Sequence, residues 1–195
     1  MPDDAATIVA MPYSVSMRLA PLTLILGGAR SGKSAYAETL LAGLAAPVYI
    51  ATAEAGDAEM AERIGEHRRR RGPAWTTVEA PLDLAGALRV QAAEADVVPG
   101  RAILVDCLTL WVSNLMGAER DVDAAGEHLA AMLPALRVPV VLIANEVGLG
   151  IVPDNALARR FRDHAGRLNQ CLAQVCQRVV FVAAGLPLML KDEGR

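Results

Sequence analysis

The sequence predicts an α/β fold with a mostly parallel central sheet flanked by helices and a short C-terminal edge strand. Three observations carry that reading. Short β-rich apolar runs alternate with longer helical stretches along the chain. The runs are apolar at successive positions, as strands covered by helices on both faces must be. Hydrophobic residues make up 53% of the 195 and charged residues 21%, enough to bury a core without a disordered composition.

The elements follow in order. Leu22 to Leu26 reads as a buried strand ending at Gly27-Gly28, with a helix from about Gly32 to Leu44. Pro47 to Thr52 is a second strand. Asp57 to Arg71 is a second helix, stopped by Gly72-Pro73, since neither residue continues a helix. Trp75 to Glu79 is a short extended piece, and Pro81 opens a helix over Leu82 to Ala95. Ala102 to Asp106 is a third buried strand, Asp121 to Leu136 a helix, and Val138 to Ala144 the most apolar strand. Asp154 begins a long helix to about Gln177; Val179 to Ala183 and the edge strand Leu186 to Lys191 finish the chain.

No repeat, linker or low-complexity segment divides this pattern. Met17 would make a sensible start, so residues 1–17 read as a dispensable N-terminal tail and 18–195 as one catalytic domain. A net charge of -3 gives no reason to expect nucleic acid. No apolar run approaches the roughly 18 residues that span a bilayer, and Asp3 and Asp4 stand where a signal peptide needs positive charge. Cys107, Cys171 and Cys176 form no CxxC pair and read as buried thiols of a reducing compartment. The expectation is a cytoplasmic enzyme with no membrane insertion.

The chemistry concentrates in Gly27-Gly28-Ala29-Arg30-Ser31-Gly32-Lys33-Ser34, which fits G-x-x-x-x-G-K-[ST] between a strand and a helix. Glycines let the backbone curl so that successive N–H groups face phosphate oxygens, and the helix start adds its positive dipole end. Lys33 is placed for the β- and γ-phosphates, and the Ser34 hydroxyl for Mg²⁺. Asp106 closes an apolar strand with a carboxylate, the second part of a P-loop NTPase-like metal site. Asn145 and Glu146 end the most apolar strand, where α/β enzymes place ligand contacts, although the glycine-rich stretch to Pro153 also suits a plain turn. His128 and His164 lie in helices without a motif and read as structural.

A phosphate loop identifies a nucleotide and not a reaction. Three more segments narrow the choice: Arg63-Ile-Gly-Glu-His-Arg-Arg-Arg-Arg71, Trp75 to Pro81, and Asn145-Glu-Val-Gly-Leu-Gly-Ile-Val-Pro153 running into Ala158 to Gln170. With the loop and Tyr49 to Thr52, they resemble the bifunctional adenosylcobinamide kinase / adenosylcobinamide-phosphate guanylyltransferase family of cobalamin biosynthesis, from about Leu22 to Lys191.

The resemblance implies two reactions. The γ-phosphate of ATP or GTP passes to the hydroxyl of adenosylcobinamide, and GMP from GTP is then transferred to adenosylcobinamide phosphate, releasing pyrophosphate. The family's guanylyl carrier is a histidine in the segment that here holds His67. A neutral imidazole attacks phosphorus well, and the neighbouring Arg68 to Arg71 disfavour its protonated form. The resemblance further implies nucleotide contacts at Thr52, Ala53, Glu54, Arg68 and Glu79, Mg²⁺ at Ser34 and Asp106, and a homotrimer. Two rivals stand beside this reading: another small-molecule kinase in which His67 is irrelevant, and a switch module that binds GTP without transferring it.

Overall fold

The computed structural model describes residues 19–53, 73–94 and 98–193. Its elements are β1 (Leu22–Gly27), α1 (Lys33–Leu41), β2 (Ala46–Ala51), β3 (Thr76–Glu79), α2 (Leu84–Ala93), β4 (Arg101–Asp106), α3 (Leu108–Gly117), α4 (Val122–Met132), β5 (Val140–Asn145), α5 (Ala156–Val175), β6 (Arg178–Ala183) and β7 (Leu186–Asp192). The seven strands form one sheet in the order β3-β2-β4-β5-β1-β6-β7. Every pairing is parallel except that of β7, which runs antiparallel to β6.

The period of two along each strand divides the core between the two faces. Leu22, Leu24 and Leu26 of β1, Ile103 and Val105 of β4, and Val140, Leu142 and Ala144 of β5 pack with residues of α2 to α5. Ile25, Leu104, Val141 and Ile143 point the other way and pack on Ala37 and Leu41 of α1. Two-sided burial is why these strands lack polar alternation. Helix starts are fixed by short acceptors: Asp83 takes the amide of Gly86, Asp121 that of Ala124, and Asn155 those of Leu157 and Ala158.

Strands and most helices lie where the sequence places them, and the differences have local causes. The first helix ends at Leu41, three residues early, and Gly43 then turns the chain at φ 85. The helix from Asp121 tightens into a 3-10 turn at Leu133–Ala135, where Pro134 ends the α-helical bonding. The edge strand is a seven-residue partner of β6, irregular between Val179 and Val180. Helix α3 was not anticipated. Its buried Leu108, Trp111, Val112 and Leu115 follow the i, i+3, i+4, i+7 spacing, but Cys107 at its start supplies no side-chain cap. The tail 1–17 and the helix expected over Asp57 to Arg71 lie outside the described residues.

Candidate active site

The strand order brings the phosphate loop and Asp106 to one edge. Strand β5 lies between β1 and β4, pairing Gly27 with Asn145 and Asp106 with Ile143. The C-terminal ends of the three strands therefore sit side by side, in the crevice where open α/β sheets hold ligands.

The loop is held by its carbonyls. Gly27 O accepts the amide of Glu146 at 3.0 Å, Ser31 O that of Gly185 at 2.8 Å, and Gly28 O that of Ser31 at 3.3 Å. Helix α1 begins without a side-chain cap. Its first-turn amides have no intrahelical acceptor, so the loop presents donors to an anion as its carbonyls face inward. Gly32, the N-cap, sits at φ 95, which favours glycine, and a Cβ there would lie 3.0 Å from Gly185 Cα.

Gly27 is required by space. A Cβ would stand 2.4 Å from the carbonyl oxygen of Val182 and 2.7 Å from Ser31 Oγ. Backbone cannot yield cheaply to that contact. Gly27→Ala is expected to cost roughly 1–3 kcal/mol of stability by overpacking and to weaken nucleotide binding by distorting the loop. Thermal unfolding with and without GTP measures both; an unchanged midpoint together with unchanged binding would contradict the clash.

Lys33 is buried in the loop, and its Nζ donates to Gly28 O at 3.0 Å. Burial lowers its pKa below the ordinary lysine value, while the Asp106 carboxylate and then Cys107 pull the other way. A polyphosphate beside it would favour the ammonium further, as opposite charge does. Ser34 Oγ donates to Asp106 Oδ2 at 3.0 Å. This hydroxyl and carboxylate are the described oxygen donors able to hold a hard divalent cation, which takes one or two carboxylates and completes its shell with phosphates and water. Among the described residues no cluster of three or more acidic, histidine or cysteine side chains offers a self-sufficient metal cage.

The other expected residues divide. Ala29, Arg30 and Ser31 lie on the loop, Arg30 at φ 55. Thr52 is fully buried at the end of β2; its hydroxyl donates to Cys107 O at 2.7 Å and accepts the Cys107 amide at 2.9 Å. Its side chain thus ties β2 to the turn after β4, and Ala53 follows it. Glu79 ends β3 at the same edge of the sheet, but β3 is four strand positions from β1. At about 4.8 Å per step, that separates it from the loop by roughly 19 Å. Glu54, His67 and Arg68 lie outside the described residues.

Two polar residues were missed. Thr109 Oγ1 accepts the amide of Asn145 at 2.6 Å, and Asn114 Nδ2 donates to Thr52 O at 2.7 Å and Pro81 O at 3.1 Å. Both stand on α3, so the helix that escaped notice braces the strand ends of the site. Two of the thiols, Cys107 and Cys176, are held protonated by burial. Burial, helped by Asp106, pushes the Cys107 pKa up to about 11, and burial pushes Cys176 up to about 12.

A buried lysine, a hydroxyl on a carboxylate and a glycine-bordered loop, all at the carboxyl edge of a parallel sheet, define a P-loop nucleotide-binding protein. The model of the cobinamide kinase / cobinamide phosphate guanyltransferase family matches residues 23–190. The bifunctional adenosylcobalamin biosynthesis protein CobP of Pseudomonas aeruginosa is 53% identical over 174 residues, covering 87% of this chain and 97% of that protein. The corresponding CobU of Escherichia coli is 40% identical over 185 residues, covering 87% and 99%. The KaiC-like protein PH0186 of Pyrococcus horikoshii shares the fold alone, with a TM-score of 0.50 at 14% identity, covering 83% of this chain and 70% of that one. The chain belongs to the cobinamide kinase / cobinamide phosphate guanylyltransferase family, a bifunctional kinase and nucleotidyltransferase of cobalamin biosynthesis.

Proposed function

We propose that the protein phosphorylates adenosylcobinamide with ATP or GTP, and then transfers GMP from GTP to the product through a covalent GMP on His67. The observation that carries the kinase half is the Ser34 to Asp106 contact at 3.0 Å beside buried Lys33. A triphosphate on the loop amides puts its γ-phosphate against the lysine. Mg²⁺ held by Ser34 and Asp106 would neutralise charge on the bridging oxygens. Lys33 holds the β- and γ-phosphates still as the acceptor hydroxyl attacks, and the chain spends its binding on position and charge.

The guanylyl half rests on His67 and its arginine neighbours. A neutral imidazole nitrogen attacks the α-phosphorus of GTP, the bond to the pyrophosphate oxygen breaks, and a phosphoramidate forms. The acceptor phosphate then displaces the imidazole. Glu54, Arg68 and Glu79 are read as guanine-nucleotide contacts, with Thr52 and Ala53 framing them.

The protein is further read as a cytoplasmic homotrimer of one catalytic domain over 18–195, with a dispensable tail over 1–17. No described helix is long and apolar enough to cross a membrane. Strand β7 leaves Leu186 and Leu188 exposed at the sheet edge, the kind of apolar edge that a second copy covers.

GTP labelled at the α-phosphate tests the covalent step. With saturating Mg²⁺, acid-labile label is expected on the denatured wild-type chain and released on adding adenosylcobinamide phosphate. A chain that turns over cobinamide but never retains label would replace the two-step transfer with a direct one.

A further inference from the structure

The phosphate loop leaves a motif without a task. Part of the Ala158 to Gln170 stretch turns one face of α5 toward a groove. Arg162, Gly166, Asn169 and Gln170 repeat at helical spacing and line one wall of this groove of about 710 Å³. Leu190 and Lys191 of β7 form the other wall, over a floor that includes Leu26 and Val179.

One end of the groove lies beside the start of the phosphate loop, with Leu26 in its lining. Glu146 lines it, and the Glu146 amide is bonded to Gly27 O at 3.0 Å. The alternation of β5 gives the reason. Ala144 packs with α5 and Ile143 with α1, so Asn145 continues toward the α1 face and Glu146 toward α5. The Glu146 carboxylate, which accepts the Gly148 amide at 2.6 Å, thus lines the groove beside the end of β1.

We propose that this groove is the acceptor site, holding the amide-rimmed macrocycle of cobinamide along α5 with its hydroxyl arm at Glu146; the assignment rests on the kinase reading above. Size and chemistry support it. The volume lies within the range of small-molecule sites, and the acceptor overhangs it as a bulky ring does. An acceptor fringed with amides needs donors and acceptors over an apolar floor, which Asn169, Gln170 and Arg162 above Leu26 and Val179 supply. Arg162 is held only by a long 3.5 Å contact to its chain neighbour Asp163 among the described residues, which leaves it donors for a ligand. Arg167 is instead engaged with Asp123 and His164. In the transfer the acceptor oxygen bonds the γ-phosphorus, the bond from phosphorus to the bridging oxygen breaks, ADP leaves, and the hydroxyl proton passes to the Glu146 carboxylate.

Gly166 supplies the test, because a Cβ there meets nothing within 4 Å and a larger side chain projects into open groove. Gly166→Phe is expected to raise KM for cobinamide about tenfold or more with KM for ATP unchanged. On the wild-type enzyme, hydrogen exchange should show α5 protected by cobinamide and not by ATP alone. A folded Gly166→Phe enzyme with unaltered KM for cobinamide overturns the assignment, as does unprotected α5 in the wild type. Altered oligomer mass with unaltered KM also overturns it and makes the groove a contact between copies. A wild-type chain that fails to phosphorylate cobinamide at all would instead remove the kinase reading.

Discussion

Lys33→Ala is expected to lower phosphoryl transfer to cobinamide by roughly 10²–10³-fold, the usual loss when one charged donor leaves a preorganised phosphate site. The loss should fall on guanylyl transfer as well, because on the proposed reading both reactions begin with a triphosphate on the same loop. The lysine is only 8% exposed, and its ammonium already sits 3.0 Å from the Gly28 carbonyl. It therefore approaches the phosphates without reorganising, and little water screens the attraction. Alanine leaves the backbone amides in place, so nucleotide should still bind, but weakly. The fold should survive, because Gly27 and Ser31 keep their carbonyl bonds to Glu146 and Gly185. Steady-state rates for both half-reactions, with GTP affinity and melting temperature measured alongside, check this. A folded variant retaining more than about a third of the wild-type kinase rate would place the triphosphate elsewhere.

The sequence made the loop legible because its chemistry dictates residue types at fixed spacing. Glycine is needed at position 32 for a positive φ and at position 27 for want of space beside Val182. Asp106 was legible for a similar reason: a carboxylate ending an apolar strand has few structural excuses. What stayed hidden depends on partners remote in the chain. Whether a strand-end threonine faces a ligand or a neighbour is unmarked in sequence, and the Thr52 hydroxyl turned out to serve Cys107, 55 residues away. The order of the sheet, which sets β5 between the loop and Asp106, follows from no local signal. Helix α3 did announce itself through its spacing, but without a capping side chain the apolar stretch offered no boundary. The α5 groove has the least visible origin, since its residues are those of any amphipathic helix until β7 closes the other wall.

His67→Ala is expected to abolish guanylyl transfer, by roughly 10³-fold or more, and to leave cobinamide phosphorylation within about twofold. Removing a nucleophile is that costly when nothing nearby can replace it, and the two described histidines are already paired. His128 is engaged by Arg89 at 2.6 Å, and His164 by Asp123 at 2.9 Å. Cys107 and Cys176 are held as thiols far above neutral pH, with values near 11 and 12, so neither supplies a thiolate. On the proposed reading the kinase step draws on Lys33, which donates to Gly28 O, and on Ser34, which donates to Asp106. The two activities should therefore separate in this variant and fall together in Lys33→Ala. Measuring both half-reactions on both variants gives a pattern of four rates. If the kinase rate also collapsed in a folded His67→Ala protein, the imidazole would have to lie against the γ-phosphate itself. One histidine would then be serving two transfers from a single position, and the division of labour between loop and carrier would no longer hold.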